Sequence, residues 1–310
     1  MERIVDVATD HVHLSAERGF LLVSQQHEEM GRVALDDILA VIVHGHGISW
    51  STNLVVRLAE RGASMAICAA NHLPVALISP LMGHHAQGAR MRAQWEASKP
   101  LMKQLWRQII VAKITMQGSF LAAQGRKEAQ AFDLLARSVR SGDPDNAEAQ
   151  AARRYWPLLM GTEFRRDQNA DGANALLNYG YTVMRATLAR AVVGSGLHPT
   201  IGLFHANRTN SFALADDLIE PFRPLVDAVV AGLLRSGVSQ ITPAAKHRLV
   251  RLIGCDLRAN GEISPVSVMA ERLALSVARS FETGKASLQL FDPPSALEWA
   301  ALMDGGSGDE

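Results

Sequence analysis

The chain has 310 residues, 48% of them hydrophobic, with 31 basic and 31 acidic side chains and a formal net charge of zero. That composition excludes a disordered chain, and the zero balance leaves any basic surface to local segregation rather than bulk charge. The length predicts two domains, no run of about 18 apolar residues is present to span a membrane, and the charged start MERIVDVATD is not a signal peptide.

Residues 1–88 read as a small β-rich domain. Phe20–Ser24, Ile38–Val43, Ala63–Ala69 and Pro74–Ile78 are apolar runs of strand length. One helix interrupts them, with Ser51 as N-cap, Leu54, Val55, Leu58 and Ala59 as its apolar stripe and Gly62 as its stop. SPLMGHHAQG (79–88) reads as a boundary loop. From residue 89 the spacing turns helical: Leu101, Leu105, Ile109 and Ile110 form a stripe, with Lys99, Lys103, Arg107 and Lys113 outside it. The loop SGDPDN (141–146) opens the helix NAEAQAARRYW, and further helices are predicted over 172–193, 211–234, 243–258 and 264–282. The expected fold class is α+β multidomain: a small N-terminal β-rich domain, a larger all-α domain over 89–300 and an acidic, Gly-rich, flexible tail over 301–310. Cys68 and Cys255 each sit in an apolar run without a CxxC partner, as reduced structural thiols of a cytoplasmic protein would.

Charge segregates locally. Residues 86–141 hold ten Lys or Arg (90, 92, 99, 103, 107, 113, 126, 127, 137, 140) against three acids, Glu96, Glu128 and Asp133. Such a segment can track a phosphate backbone or can simply be a solvated helix face. Acids concentrate elsewhere. Asp216 and Asp217 fall four and three residues before Glu220 on one predicted turn, where like charges repel, and Pro221 and Pro224 then interrupt the backbone hydrogen bonding. This reads either as an acidic solvated half-helix or as a hard-cation site. Glu148 shares a helical face with Ala152, Tyr155 and Leu159, so it is either a capping first-turn acid or a carboxylate with a buried partner. His205 follows the apolar run IGLF and by itself reads as a loop or core histidine. His44 and His46, and His84 with His85, lack acid or Cys neighbours to complete a metal set. No GxxxxGK[ST], GxGxxG or GxSxG motif is present.

Five segments in order resemble the CRISPR-associated spacer-acquisition integrases, in the type II form closest to subtype C. They are ALDDILAVIVHGHGISWSTNLVVRLAERGASMAIC (34–68), LWRQIIVAKITMQ (105–117), SGDPDNAEAQAARRYWPLLMGTEFRRD (141–167), NALLNYGYTVMRA (174–186) and GLFHANRTNSFALADDLIEPFRPLVD (202–227). The resemblance implies a metal site made of Glu148, His205 and Glu220, with Asp217 beside the metal or as an alternate ligand. Ala149 replaces a glycine often found after the glutamate, Glu220 stands where many members have aspartate, and HANRTN departs from the usual loop; none of these removes a ligand. One histidine and two carboxylates suit Mg2+ or Mn2+. Such an ion can organise in-line attack on a phosphodiester, by a DNA 3′-hydroxyl for strand transfer or by water for cleavage. His205 would act as a neutral ligand, so activity should fail at acid pH.

The resemblance further implies a catalytic role for the helical domain, and dimerisation and partner contacts for the β-rich one. The expected partners are a second copy of the chain, a dimer of a small ferredoxin-like acquisition protein bound by two such homodimers, and double-stranded DNA. A type II effector nuclease and a ring-shaped accessory protein would be further partners, and no membrane is expected. Arg153, Arg154, Arg165, Arg166 and Arg223, close in sequence to the ligands, are candidate phosphate contacts. The competing readings are a non-catalytic DNA-binding scaffold of the same complex and an unrelated hydrolase of small phosphoesters. The complete acid and histidine set argues against the first, and the basic segment against the second.

Overall fold

Two four-stranded sheets build the N-terminal region in the computed structural model, which describes residues 3–69, 74–78, 80, 86–205 and 210–305. The strands are β1 (Arg3–Val7), β2 (His13–Glu17), β3 (Phe20–Gln25), β4 (Glu28–Ala34), β5 (Ile38–Val43) and β6 (Ser49–Trp50). Helix α1 (Thr52–Glu60) follows, then β7 (Ser64–Cys68) and β8 (Pro74–Ile78). One sheet runs β1-β5-β7-β8, parallel except for β8; the other runs β4-β3-β2-β6. All six residues of β5 are buried. Val41 and Val43 enter a core shared with Leu14, Leu21 and α1, while Ala40 and Ile42 join the core of the helical region. A strand covered on both faces must be apolar throughout, which is why ILAVIV does not alternate.

The four predicted runs are strands, and Ser51 caps α1, its hydroxyl accepting from Leu54 N at 3.2 Å. β1, β2, β4 and β6 were not expected. β4 carries EEMGRVA with its first three residues exposed, so an edge strand of this kind has no apolar run to reveal it.

The helical region comprises α2 (Gln87–Trp95), α3 (Lys99–Ala123), α4 (Gln130–Ser138), α5 (Ala147–Met160), α6 (Ala173–Gly194), α7 (Ala213–Leu218), α8 (Arg223–Arg235) and α9 (Pro243–Arg251). After them come β9 (Asp256–Ala259), β10 (Glu262–Pro265), α10 (Val266–Thr283) and α11 (Ala296–Asp304). Helix α6 is buried nearly all round, and α3 buries a broad face while leaving Lys99, Lys103, Gln104 and Arg107 exposed; the two form the centre against which the others pack.

Three expectations are corrected. The helix over 211–234 is two helices separated by a 3₁₀ turn at Glu220–Phe222, because Pro221 and Pro224 supply no N–H to an uninterrupted ladder. The helix over 243–258 ends at Arg251. Asp256–Ala259 pairs with Glu262–Pro265 around Asn260 and Gly261, both at positive φ, so the region is not all-α; the Asn-Gly dipeptide was the available hairpin signal. The tail does not begin at 301: α11 runs to Asp304, burying Trp299 and Met303, and Gly232 admits it closely, since a Cβ there would meet the Met303 carbonyl. Residues 306–310, His84 and His85 lie outside the described residues, as do residues 206–209 of HANRTN.

Candidate metal centre

Glu148 sits in the first turn of α5, but it does not cap that helix. Asp143 accepts from Ala147 N at 2.8 Å and Glu148 N at 3.0 Å, and Asn146, at φ 53°, accepts from Ala149 N. With the orphan N–H groups satisfied by SGDPDN, the Glu148 carboxylate is free to reach inward. It meets Lys113 of α3, whose Nζ donates to Oε1 at 2.7 Å. The same ammonium contacts Glu220 Oε2, and Glu220 Oε1 accepts from Arg223 Nε at 2.9 Å. Two acids from separate elements thus converge on one cation.

His205 is placed by Asp217, which is fully buried. Its Oδ2 accepts from Leu203 N at 2.5 Å and Phe204 N at 3.0 Å, so the 202–205 segment wraps around the carboxylate. Its Oδ1 accepts from His205 Nδ1 at 2.5 Å, which leaves Nε2 as the nitrogen available to a ligand. Gly202 makes the approach possible: a Cβ there would lie 2.7 Å from Asp217 Oδ2. Phe204 stacks on the buried Trp106 of α3 at 4.5 Å, and the His205 ring meets Trp106 edge-on at 5.8 Å. The third acid, Asp216, is bound by Arg185 through two contacts of 2.6 Å. The like charges of the acidic turn are therefore separated by giving each its own partner.

Electrostatics follow from these contacts. Burial alone would raise the Glu220 pKa, but the charges of Arg223 and Lys113 overcome it and hold the group at about 2. Burial alone would lower the Lys113 pKa, yet Glu220 and Glu148 keep it above the usual lysine value. The hydrogen bond to Asp217 raises the His205 pKa against the opposing effect of burial.

Asp227 of α8 ties the elements together. It accepts from Tyr155 of α5 at 3.0 Å and Tyr181 of α6 at 2.5 Å, and Arg223 lies 4.6 Å over the Tyr181 ring. Tyr155 is two turns beyond Glu148, so this hub fixes the face of α5 that carries the acid.

The candidate arginines divide. Arg153, Arg154 and Arg165 are exposed. Arg166 is bound by Asn174 and Asn178 at 2.9 and 2.6 Å, and Arg223 by Glu220. The basic 86–141 segment is likewise partly spent inside: Arg90 is buried against Glu282 and Ser195 O, and Lys113 is 6% exposed, not on the outer face where the stripe placed it. Eight of its ten cations remain exposed, Arg140 paired with Asp145. His44 pairs with Asp6 at 3.0 Å, where the first sheet meets α9 through Lys246. Cys68 and Cys255 are free and half-buried, and burial pushes the Cys68 thiol up to about 12.

Among the described residues no three His, Cys, Asp or Glu side chains converge closely enough to hold an ion as they stand. The chemistry nevertheless fits a divalent cation. Glu148 and Glu220 already share one positive charge, and His205, held through Nδ1, lies within electrostatic range of Glu220. Lys113 was missed as part of this set. The available signal was a second stripe on α3, Trp106, Ile110, Lys113 and Gln117, all buried and spaced three or four residues apart.

A family model described as CRISPR associated protein Cas1 matches residues 5–248. A relative from Neisseria meningitidis serogroup C (strain 8013), named CRISPR-associated endonuclease Cas1, is 40% identical over 244 residues, 77% of this chain and 79% of its own. Another, CRISPR-associated endonuclease Cas1 2 of Pyrobaculum aerophilum, is 29% identical over 294 residues, 89% of this chain and 98% of its own. Among solved structures, a casposase bound to integration product superposes with a TM-score of 0.78 at 20% identity, covering 93% of both chains. A Cas6-RT-Cas1–Cas2 complex gives a TM-score of 0.74 at 16% identity over 93% of this chain and 36% of that one. At these identities the structural likeness concerns the fold.

Proposed function

This chain belongs to the CRISPR-associated Cas1 family, and on that premise we propose that it is a divalent-metal-dependent DNA integrase and endonuclease. The observation that carries this reading is the convergence of Glu148 and Glu220, from α5 and the 3₁₀ turn, on a single cation. A scaffold that only bound DNA would have no use for two acids drawn together at the cost of desolvation. The name endonuclease on the relatives, and the integration product in the similar casposase structure, support the same reading. The Neisseria meningitidis relative supports the type II form closest to subtype C.

Glu148, His205 and Glu220 would hold Mg2+ or Mn2+, which when bound polarises a phosphodiester oxygen for in-line attack by a 3′-hydroxyl or water. Asp217 orients the imidazole and braces the 202–205 segment. Arg223 stays on Glu220 and stabilises its charged form. Arg153, Arg154 and Arg165, which are exposed, would hold DNA phosphates and add salt-dependent affinity. The proposed assembly is a homodimer, two copies of which join a dimer of the small ferredoxin-like acquisition partner on a short duplex; the Cas1–Cas2 complex among the similar structures supports such a partnership.

The test is strand transfer of a labelled short duplex into a plasmid carrying a repeat array, with the small partner and Mn2+. Wild type should integrate, while Glu148→Ala, His205→Ala and Glu220→Ala should bind the duplex without integrating it. Integration by all three variants at the wild-type rate would leave the scaffold reading in place.

A further inference from the structure

We propose that Lys113 is the centre's own counter-cation, bridging Glu148 and Glu220 when no metal is bound and giving up that position when a divalent ion enters. The inference rests on the metal reading above and concerns how this chain prepares for the ion.

Lys113 projects from the central helix α3 and is 6% exposed. Its Nζ holds Glu148 Oε1 at 2.7 Å and also contacts Glu220 Oε2, so one ammonium ties the first turn of α5 to the 3₁₀ turn after α7. Two carboxylates facing one position cannot both stay ionised there without a positive charge between them. A fixed cation of matching reach solves this before any metal arrives. The oxygens it occupies belong to the acids that would bind the ion, so lysine and metal compete for them.

Arg223 behaves differently. It holds the other oxygen of Glu220 and lies over the Tyr181 ring at 4.6 Å, so it can remain while the metal binds. Lysine suits the mobile role and arginine the fixed one: the ammonium is a point charge on four rotatable methylenes, the guanidinium a planar fork. Glu148 is the more open acid, its side chain 28% exposed against 5% for Glu220, so the ammonium's way out is on the Glu148 side. Competition by Lys113 also accounts for the spread of the three candidate ligands: two of them are held on the lysine rather than drawn toward His205.

The test uses the full-length chain without DNA, stripped of metal and titrated with Mn2+, with free Mn2+ read by electron paramagnetic resonance. Lys113→Met removes the charge and keeps the stem. It should bind Mn2+ about tenfold or more tightly than wild type, because a competing charge is gone. Its metal-free Tm should fall below wild type, and Mn2+ should raise it by more than it raises wild type. Equal or weaker Mn2+ affinity in Lys113→Met overturns the proposal. Should that variant fail to fold without metal, Lys113→Arg decides the matter. Its fork holds both acids more firmly, so Mn2+ should bind more weakly than to wild type, and equal or tighter binding overturns the proposal. Glu220→Ala separates the two readings. If wild type binds Mn2+ no better than Glu220→Ala, the metal reading fails; if it binds better, and Lys113→Met equals wild type, the lysine proposal alone fails.

Discussion

Within the N-terminal sheets the buried polar side chains among the described residues are few, Ser64 and the His44–Asp6 pair where the first sheet meets α9, whereas the helical region buries Arg90, Lys113, Asp143, Asp217, Glu220 and Asp227. Both regions have sufficient hydrophobic cores, so the difference is not one of stability. Buried charge is costly unless it is paired, and each of these six has a partner: Glu282 for Arg90, backbone N–H groups for Asp143, tyrosines for Asp227, and one another or His205 around the candidate centre. A fold does not need such groups to form. Lys113, Asp217 and Glu220 gather with Glu148 and His205, as the proposed metal centre would require, and on that proposal the sheets serve as its support.

That contrast can be tested from both sides. The largest effect is expected for Asp217→Ala, which strips the acceptor from the 202–205 backbone and from the imidazole. It should cost about 3–5 kcal/mol in urea unfolding and also abolish strand transfer by the protein that remains folded. Leu14→Ala, in the sheet core, should cost about 3 kcal/mol yet leave strand transfer per folded molecule unchanged. A loss of specific activity in that variant would break the division between support and site. Gly202→Ala should cost roughly 1–3 kcal/mol, because the new methyl would press on Asp217 Oδ2, and should reduce strand transfer far more than its stability loss explains.

Asp227 provides a pH test. Burial raises its pKa from 3.8 to about 6, against the hydrogen bonds of Tyr181 and Tyr155. A folded pKa above the unfolded one means stability that is full below pH 3.8 and is lost as pH rises through about 6. Glu220 has the opposite sign: its contribution is present above 4.5 and is lost as pH falls toward about 2. Between pH 4.5 and about 6 the urea midpoint of wild type should fall relative to that of Asp227→Asn as pH rises. An identical slope in the two proteins would remove Asp227 from that account. The smallest effect is expected at the periphery of the support: Ser51→Ala loses one helix cap, about 1 kcal/mol by thermal unfolding, with activity unchanged.

Much of the arrangement was legible in the residues themselves. Apolar runs marked β3, β5, β7 and β8, Ser51 marked the start of α1, and Pro221 with Pro224 marked a disturbance after the acids. These are local signals, set by the side-chain period of two in strands, by cap chemistry and by the missing proline N–H. Ordered segments from 34–68 to 202–227 placed Glu148, His205, Asp217 and Glu220 within one family pattern. What surrounds each of them was decided only in three dimensions. On α3 the stripe of Trp106, Ile110, Lys113 and Gln117 could mark Lys113 as inward-facing but not name its partner, a glutamate 35 residues away. Asp217 braces a loop 12 residues before it, and Asp227 gathers tyrosines from two other helices. Pairings across the fold depend on where helices cross, and crossing is settled by the packing of whole faces rather than by the neighbours of any one residue in the chain.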